Sequence, residues 1–105
     1  MFNILQIINE NINSIKLGAH QAYSLLLIFS SPTPQLALEY INASEKLISA
    51  TAYLKRMQLI RYNPSGYTIN NVGEKVLAYN GFIDQSGNLT TKGRALLNTK
   101  SSEVK

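Results

Sequence analysis

Five polar side chains recur along one stretch of the chain: Ser44, Lys46, Ser49, Tyr53 and Arg56. Between them Leu47, Ala50 or Thr51, Leu54 and Met57 repeat at the three-and-four spacing of an amphipathic helix. If the leucines face a core, the five polar residues lie outward or at its edge. Their chemistry is that of contact rather than bond-making. Ser, Lys and Arg donate hydrogen bonds to phosphate oxygens or to base edges, and Tyr stacks on a base or bonds a phosphate. A plain solvated helix face would carry the same residue types. Arg61 follows a few residues later and adds one more cation.

Bond-making chemistry finds little support. The chain has no cysteine, which excludes disulfides, thiolate metal ligands and thiol catalysis. It has one histidine, His20, on a predicted helix without an acidic neighbour, and this reads as a structural or surface residue. The carboxylates Glu10, Glu39, Glu45, Glu74, Asp84 and Glu103 are dispersed, with no local pair spaced for acid–base work. No glycine-rich phosphate loop occurs. The expectation is a protein without catalytic activity, metal or cofactor. Lys and Arg number 10 against 6 Asp and Glu, a net charge of +4 that suits a phosphate-bearing partner. The apolar run Leu25–Phe29 is too short for a membrane span, and no basic segment precedes an apolar one as in a secretory signal. A soluble, cytoplasmic protein is expected.

The elements that position the polar stretch are readable from caps and breakers. Leu5, Ile8, Ile12, Ile15, Ala19, Ala22, Leu26 and Phe29 form a heptad seam, divided near Gly18. This predicts helices over 2–17 and 19–29. Ser31-Pro32-Thr33-Pro34 breaks the pattern, with Thr33 as an N-cap and Pro34 as the first helical residue of a short helix over 34–41. Asn42 and Glu45 have the spacing of a capping box, which predicts the next helix over 43–57. Leu59–Tyr62 and Tyr67–Ile69 flank Asn63-Pro64-Ser65-Gly66, a β-hairpin signal. Helices over 71–79, capped by Asn70, and over 91–97 follow. The expected core comprises Leu36, Ala37, Tyr40, Leu47, Leu54, Ile60, Ile69, Val76, Leu77 and Leu96.

The last third echoes what precedes it. Leu59-Ile60, Ser65-Gly66 and Ile69-Asn70-Asn71-Val72-Gly73 are followed by Phe82-Ile83, Ser86-Gly87 and Leu89-Thr90-Thr91-Lys92-Gly93. Each copy reads as strand, turn, strand and capped helix. Gly73 and Gly93 fall in first helical turns, where a missing side chain permits close packing.

A short helix, a turn, a second amphipathic helix, a hairpin and another helix, in that order, are the parts of a winged helix-turn-helix. The stretch from Thr33-Pro34-Gln35-Leu36-Ala37 to Leu59-Ile60-Arg61, with Tyr67-Thr68-Ile69 and the glycine-bearing helix, resembles the MarR-type transcriptional regulators. Leu89-Thr90-Thr91-Lys92-Gly93-Arg94-Ala95-Leu96-Leu97 matches that family's Leu-Thr-x-x-Gly-x-x-Leu-Leu pattern, and 69–77 matches it more loosely, with Asn70 in place of the threonine. Ile41 stands where a small turn residue is usual.

The expected fold is therefore mainly α with one or two small β-hairpin wings. Residues 1–97 form one domain, with a helical dimerisation segment over about 1–30 and a flexible tail over 98–105. The resemblance implies a transcriptional regulator that reads duplex DNA. The outward face of the second helix and the hairpin put the contacts at Ser44, Lys46, Ser49, Tyr53, Arg56 and Arg61. The apolar seam of the first segment leads to the expectation of a homodimer paired through the N-terminal helix. The alternative is an interaction module of the same fold that binds polymerase or another assembly without touching DNA.

Overall fold

The helix after Gly18 is apolar around most of its circumference, and such a helix belongs inside a fold. In the computed structural model, which describes residues 15–104 and their side chains as far as Thr99, it does. This helix, α1 (Ala19–Ser30), buries Ala22, Tyr23, Ser24, Leu25, Leu26 and Ile28. The elements that follow it pack around it. The apolar residues of α1 are thus used within the core of this chain. The expected helix over 2–17, and the seam leading from Leu5 to it, lie outside the described residues except for Ile15–Leu17. These three lead without regular secondary structure into α1, beside the end of a later helix. There the Asn80 side chain accepts from the Leu17 N–H (3.1 Å) and donates to the Ile15 carbonyl (2.8 Å).

Ser30 and Ser31 close α1 by donating back to the Leu26 and Leu27 carbonyls, and the prolines prevent its continuation. Thr33 accepts from the Leu36 N–H (3.1 Å) and caps α2 (Pro34–Asn42), with Pro34 in its first turn. The face of α2 differs from the expected one. Ala37 and Ile41 are fully buried, whereas Tyr40 is 50% exposed. Two residues four apart define the buried axis, and Tyr40 sits about 100° round from Ile41. Ile41, at the expected turn position, is a core residue instead.

The chain turns at Ala43 and Ser44, later than expected. Asn42 is the last residue of α2 and Ser44 precedes α3 (Glu45–Arg56), so the Asn42–Glu45 capping box does not form. Asn42 stays helical, which leaves it no geometry for capping the next element. Glu45 lies in the first turn of α3, where a carboxylate favours the helix dipole. Leu47, Ala50, Thr51 and Leu54 are buried, largely against α1.

Strands β1 (Ile60–Asn63) and β2 (Gly66–Ile69) pair antiparallel, with Ile60 opposite Ile69 and Asn63 opposite Gly66. A two-residue turn joins them, and the Asn63 side chain accepts from the Ser65 N–H (2.8 Å). Asn70 accepts from the Gly73 N–H (2.8 Å) and caps α4 (Asn71–Tyr79), which buries Val76 and Leu77.

The echo in the sequence is an echo in space. At the end of α3, Gln58 adopts a left-handed φ of 60° while its N–H donates to the Lys55 carbonyl and that of Leu59 to the Leu54 carbonyl. This is a Schellman cap. At the end of α4, Gly81 has φ 85°, its N–H donates to Ala78, and that of Phe82 to Leu77. The Asn70 N–H then donates to the Leu59 carbonyl (3.2 Å), and the Thr90 N–H to the Phe82 carbonyl (3.1 Å). A Cβ on Gly73 would strike the Leu59 carbonyl, and one on Gly93 the Phe82 carbonyl. Thr90 accepts from the Gly93 N–H (3.0 Å) and opens α5 (Thr91–Val104). The second hairpin is reduced to one bridge, Ile83 to Leu89. Its turn is organised around Asp84, whose carboxylate accepts from the Ser86 and Asn88 N–H groups and leaves little length for strands.

Helix α5 passes the expected end at Leu97, since nothing from Asn98 to Val104 is a helix breaker. Of the expected core, Ala37, Leu47, Leu54, Ile60, Val76 and Leu77 are buried, and Leu36, Ile69 and Leu96 are half-buried. No helix among the described residues is long and apolar enough to cross a membrane.

Candidate nucleic-acid interface

Burial of Leu47, Ala50, Thr51 and Leu54 fixes the rotation of α3. At 100° per residue, Lys46, Ser49, Tyr53 and Arg56 then fall along a single strip beside the buried face. Lys46, Ser49 and Arg56 are exposed, and Tyr53 is half-buried at the edge of the core. The strip runs opposite the first turn of α1, and the two enclose an open groove of about 380 Å³. Gly18 and His20 line its other wall, and Gln21 is folded back to accept from the Gly18 N–H (3.0 Å). Among the described residues no carboxylate lines the groove.

The remaining two candidate residues lie apart from this groove. Ser44 is half-buried in the turn before α3, and its side chain makes no capping bond. Arg61 is exposed on β1, opposite Thr68. On the next position Tyr62, 51% exposed, stacks at a tilt on Tyr67, with ring centroids 5.1 Å apart. The Lys55 ammonium lies 5.0 Å from the Tyr62 ring, a cation–π contact that ties the end of α3 to the hairpin. Burial, and then the neighbouring Tyr62, pushes the Tyr67 hydroxyl above its ordinary range, so it stays protonated.

The cations differ in what their heads touch. Lys92 donates to the Asn80 carbonyl (2.7 Å) and lies over the Phe82 ring, and Arg94 donates to the Leu89 carbonyl (3.1 Å). Those charges hold the second unit together. Lys46, Arg56 and Arg61 have no hydrogen-bond or ion-pair partner among the described residues. Their donors stand in solvent, available to an acceptor from outside.

A second groove, about 460 Å³, lies between α4 and the 84–88 turn. It sets Glu74 and Asp84 beside Lys75. Hydrogen bonds from the Asn88 and Ser86 N–H groups hold the exposed Asp84 carboxyl below its ordinary range. Two carboxylates make this groove a poor seat for an anion. Among the described residues no group of His, Asp or Glu is placed to hold a metal ion.

His20 is the residue that sequence reasoning left out of the site. Nothing near it in the chain marks it, because its neighbours in the groove come from α3. Only the packing of α1 on α3 brings them together. Comparison with protein-family models, with curated proteins and with solved structures finds no match to this chain.

Proposed function

We propose that this chain is a winged helix-turn-helix protein that binds duplex DNA and acts in transcriptional regulation. In this reading α2 and α3 are the helix pair, α3 enters the major groove, and the β1–β2 hairpin is the wing that presents Arg61 and Tyr62. One observation carries the reading. Among the described residues Lys46 and Arg56 on α3 and Arg61 on the hairpin have no partner, whereas Lys55 lies over Tyr62 and Lys92 and Arg94 of the second unit are committed to backbone carbonyls. A face with free donors, no local carboxylate partner and a net positive charge is what phosphate contact requires.

The test is binding of a labelled mixed-sequence duplex across a salt series, with the chain as it stands and with Lys46→Ala and Arg56→Ala. Each substitution should lower affinity at low salt. Each should also reduce the slope of log K against log salt by about one unit. If neither affinity nor slope changes, α3 is not the contact helix. The alternative draws on a different observation: Tyr40 and Ile48 are 50% and 46% exposed. Two large apolar side chains in water suit contact with another protein. If no duplex is bound even at low salt, that reading replaces the first.

A further inference from the structure

We infer that the groove between the first turn of α1 and the strip on α3 seats the phosphate backbone of the bound duplex, with the His20 imidazolium as a third cationic contact beside Lys46 and Arg56. The inference rests on the DNA-binding reading and deepens it, because it assigns a partner to a residue outside the helix pair.

His20 is half-buried at the groove wall, across from Lys46, Tyr53 and Arg56. Those three are the titratable side chains that face it from α3, and two of them are cations. Its own neighbour Gln21 is already engaged by Gly18. The described carboxylates Glu39, Glu45, Glu74 and Asp84 all lie outside the groove, so the described residues supply no counter-ion there. A phosphate seated in the groove favours every positive charge in reach. Histidine is the side chain whose charge changes between pH 5 and 8. Phosphate binding at this groove is therefore coupled to uptake of one proton, and the duplex is held more tightly as pH falls.

The experiment measures binding of a labelled mixed-sequence duplex at fixed salt from pH 5.5 to 8.5. It uses the full chain, His20→Gln and His20→Arg. A nearby opposite charge favours a protonated group by about tenfold or more. The unaltered chain should accordingly bind about tenfold more tightly at the acid end, with a salt slope steeper by about one unit there. His20→Gln should lose that dependence and match the alkaline behaviour throughout. His20→Arg carries a permanent cation and should hold the acid-end affinity at pH 8.5. His20 is the chain's single histidine, so its ring protons in an NMR spectrum belong to one residue. They should move as duplex is added. Equal pH dependence in the chain and in His20→Gln overturns this inference and leaves the DNA reading intact. Absence of duplex binding at every pH overturns both.

Discussion

Gln58 sits at the left-handed position of the Schellman cap that ends α3, and Gly81 occupies the same position after α4. This pair allows one backbone quantity to be measured from two directions. A non-glycine residue in that region costs roughly 1–2 kcal/mol, from crowding of Cβ against the following carbonyl. Glycine removes the crowding, but its greater freedom in the unfolded chain takes back about 0.4–1 kcal/mol. Gln58→Gly should therefore stabilise the fold by about 0.5–1 kcal/mol. The Gln58 side chain is exposed, and the bond it receives from the Asn70 side chain goes to its backbone carbonyl, so the substitution forfeits no contact. In the opposite direction, a Cβ on Gly81 would meet the Lys92 side chain at 3.5 Å, an ordinary contact. Gly81→Ala should therefore cost a similar amount through the backbone alone. Gln58→Ala, which keeps the strain, should be near neutral. Urea unfolding reads all three, and in a thermal melt 1 kcal/mol corresponds to about 4 °C or more for a domain of this size. Gln58→Gly without gain, together with Gly81→Ala without loss, would refute the assignment of strain to these two caps.

The hydroxyls of Ser24 and Thr51 are buried and have no hydrogen-bond partner among the described residues. Ser24→Ala should raise stability by about 1 kcal/mol in urea unfolding, since an unsatisfied buried polar group costs about 1–3 kcal/mol. A loss would mean that the hydroxyl has an acceptor. The hydrogen bonds to Asp84 lower its carboxyl from the ordinary 3.8, so their stabilisation is complete above that value and is lost as pH falls through the lower, folded value. Asp84→Asn should accordingly be less stable than the unaltered chain at pH 6, with the gap closing on acidification. Pairing of two copies through the N-terminal segment predicts a dimer in light scattering, and Ile8→Glu with Ile15→Glu should give a folded monomer. A chain that stays monomeric at high micromolar concentration excludes that pairing.

Much of the fold is legible wherever one residue type has one local use. Thr33 before Pro34, Asn70 three residues before Gly73, and the paired glycines of the echo each mark an element edge that the backbone then shows. The failures are equally specific. Tyr40 and Ile41 both suit a core, and only the rotation of α2 against β2 and α1 selects Ile41. Asn42 has a capping residue's chemistry, but capping also needs an extended backbone, which one more helical residue removes. The strip on α3 is readable because the buried leucines fix its rotation. The place of His20 is not, because it depends on how α1 crosses α3. Gln58 carries no signal of its left-handed backbone, which glycine would have given.

Helix α4 closes the first echo unit, and its C-terminal cap leads into the second. Val76 and Leu77 lie in the core of the chain, while the α4 carbonyls also anchor the cap from which the second unit departs. Partial opening of either unit therefore strains the element both depend on. A disturbance at the Asp84 turn can fray outward toward α5, but it cannot pass α4 without disturbing the core that Val76 and Leu77 share with α1. In amide hydrogen exchange this makes α4 a boundary between cooperative blocks. Its central amides should exchange only at the rate of global unfolding. Those around the 84–88 turn should exchange through a smaller, independent opening, so that the chain loses order from its C-terminal unit inward.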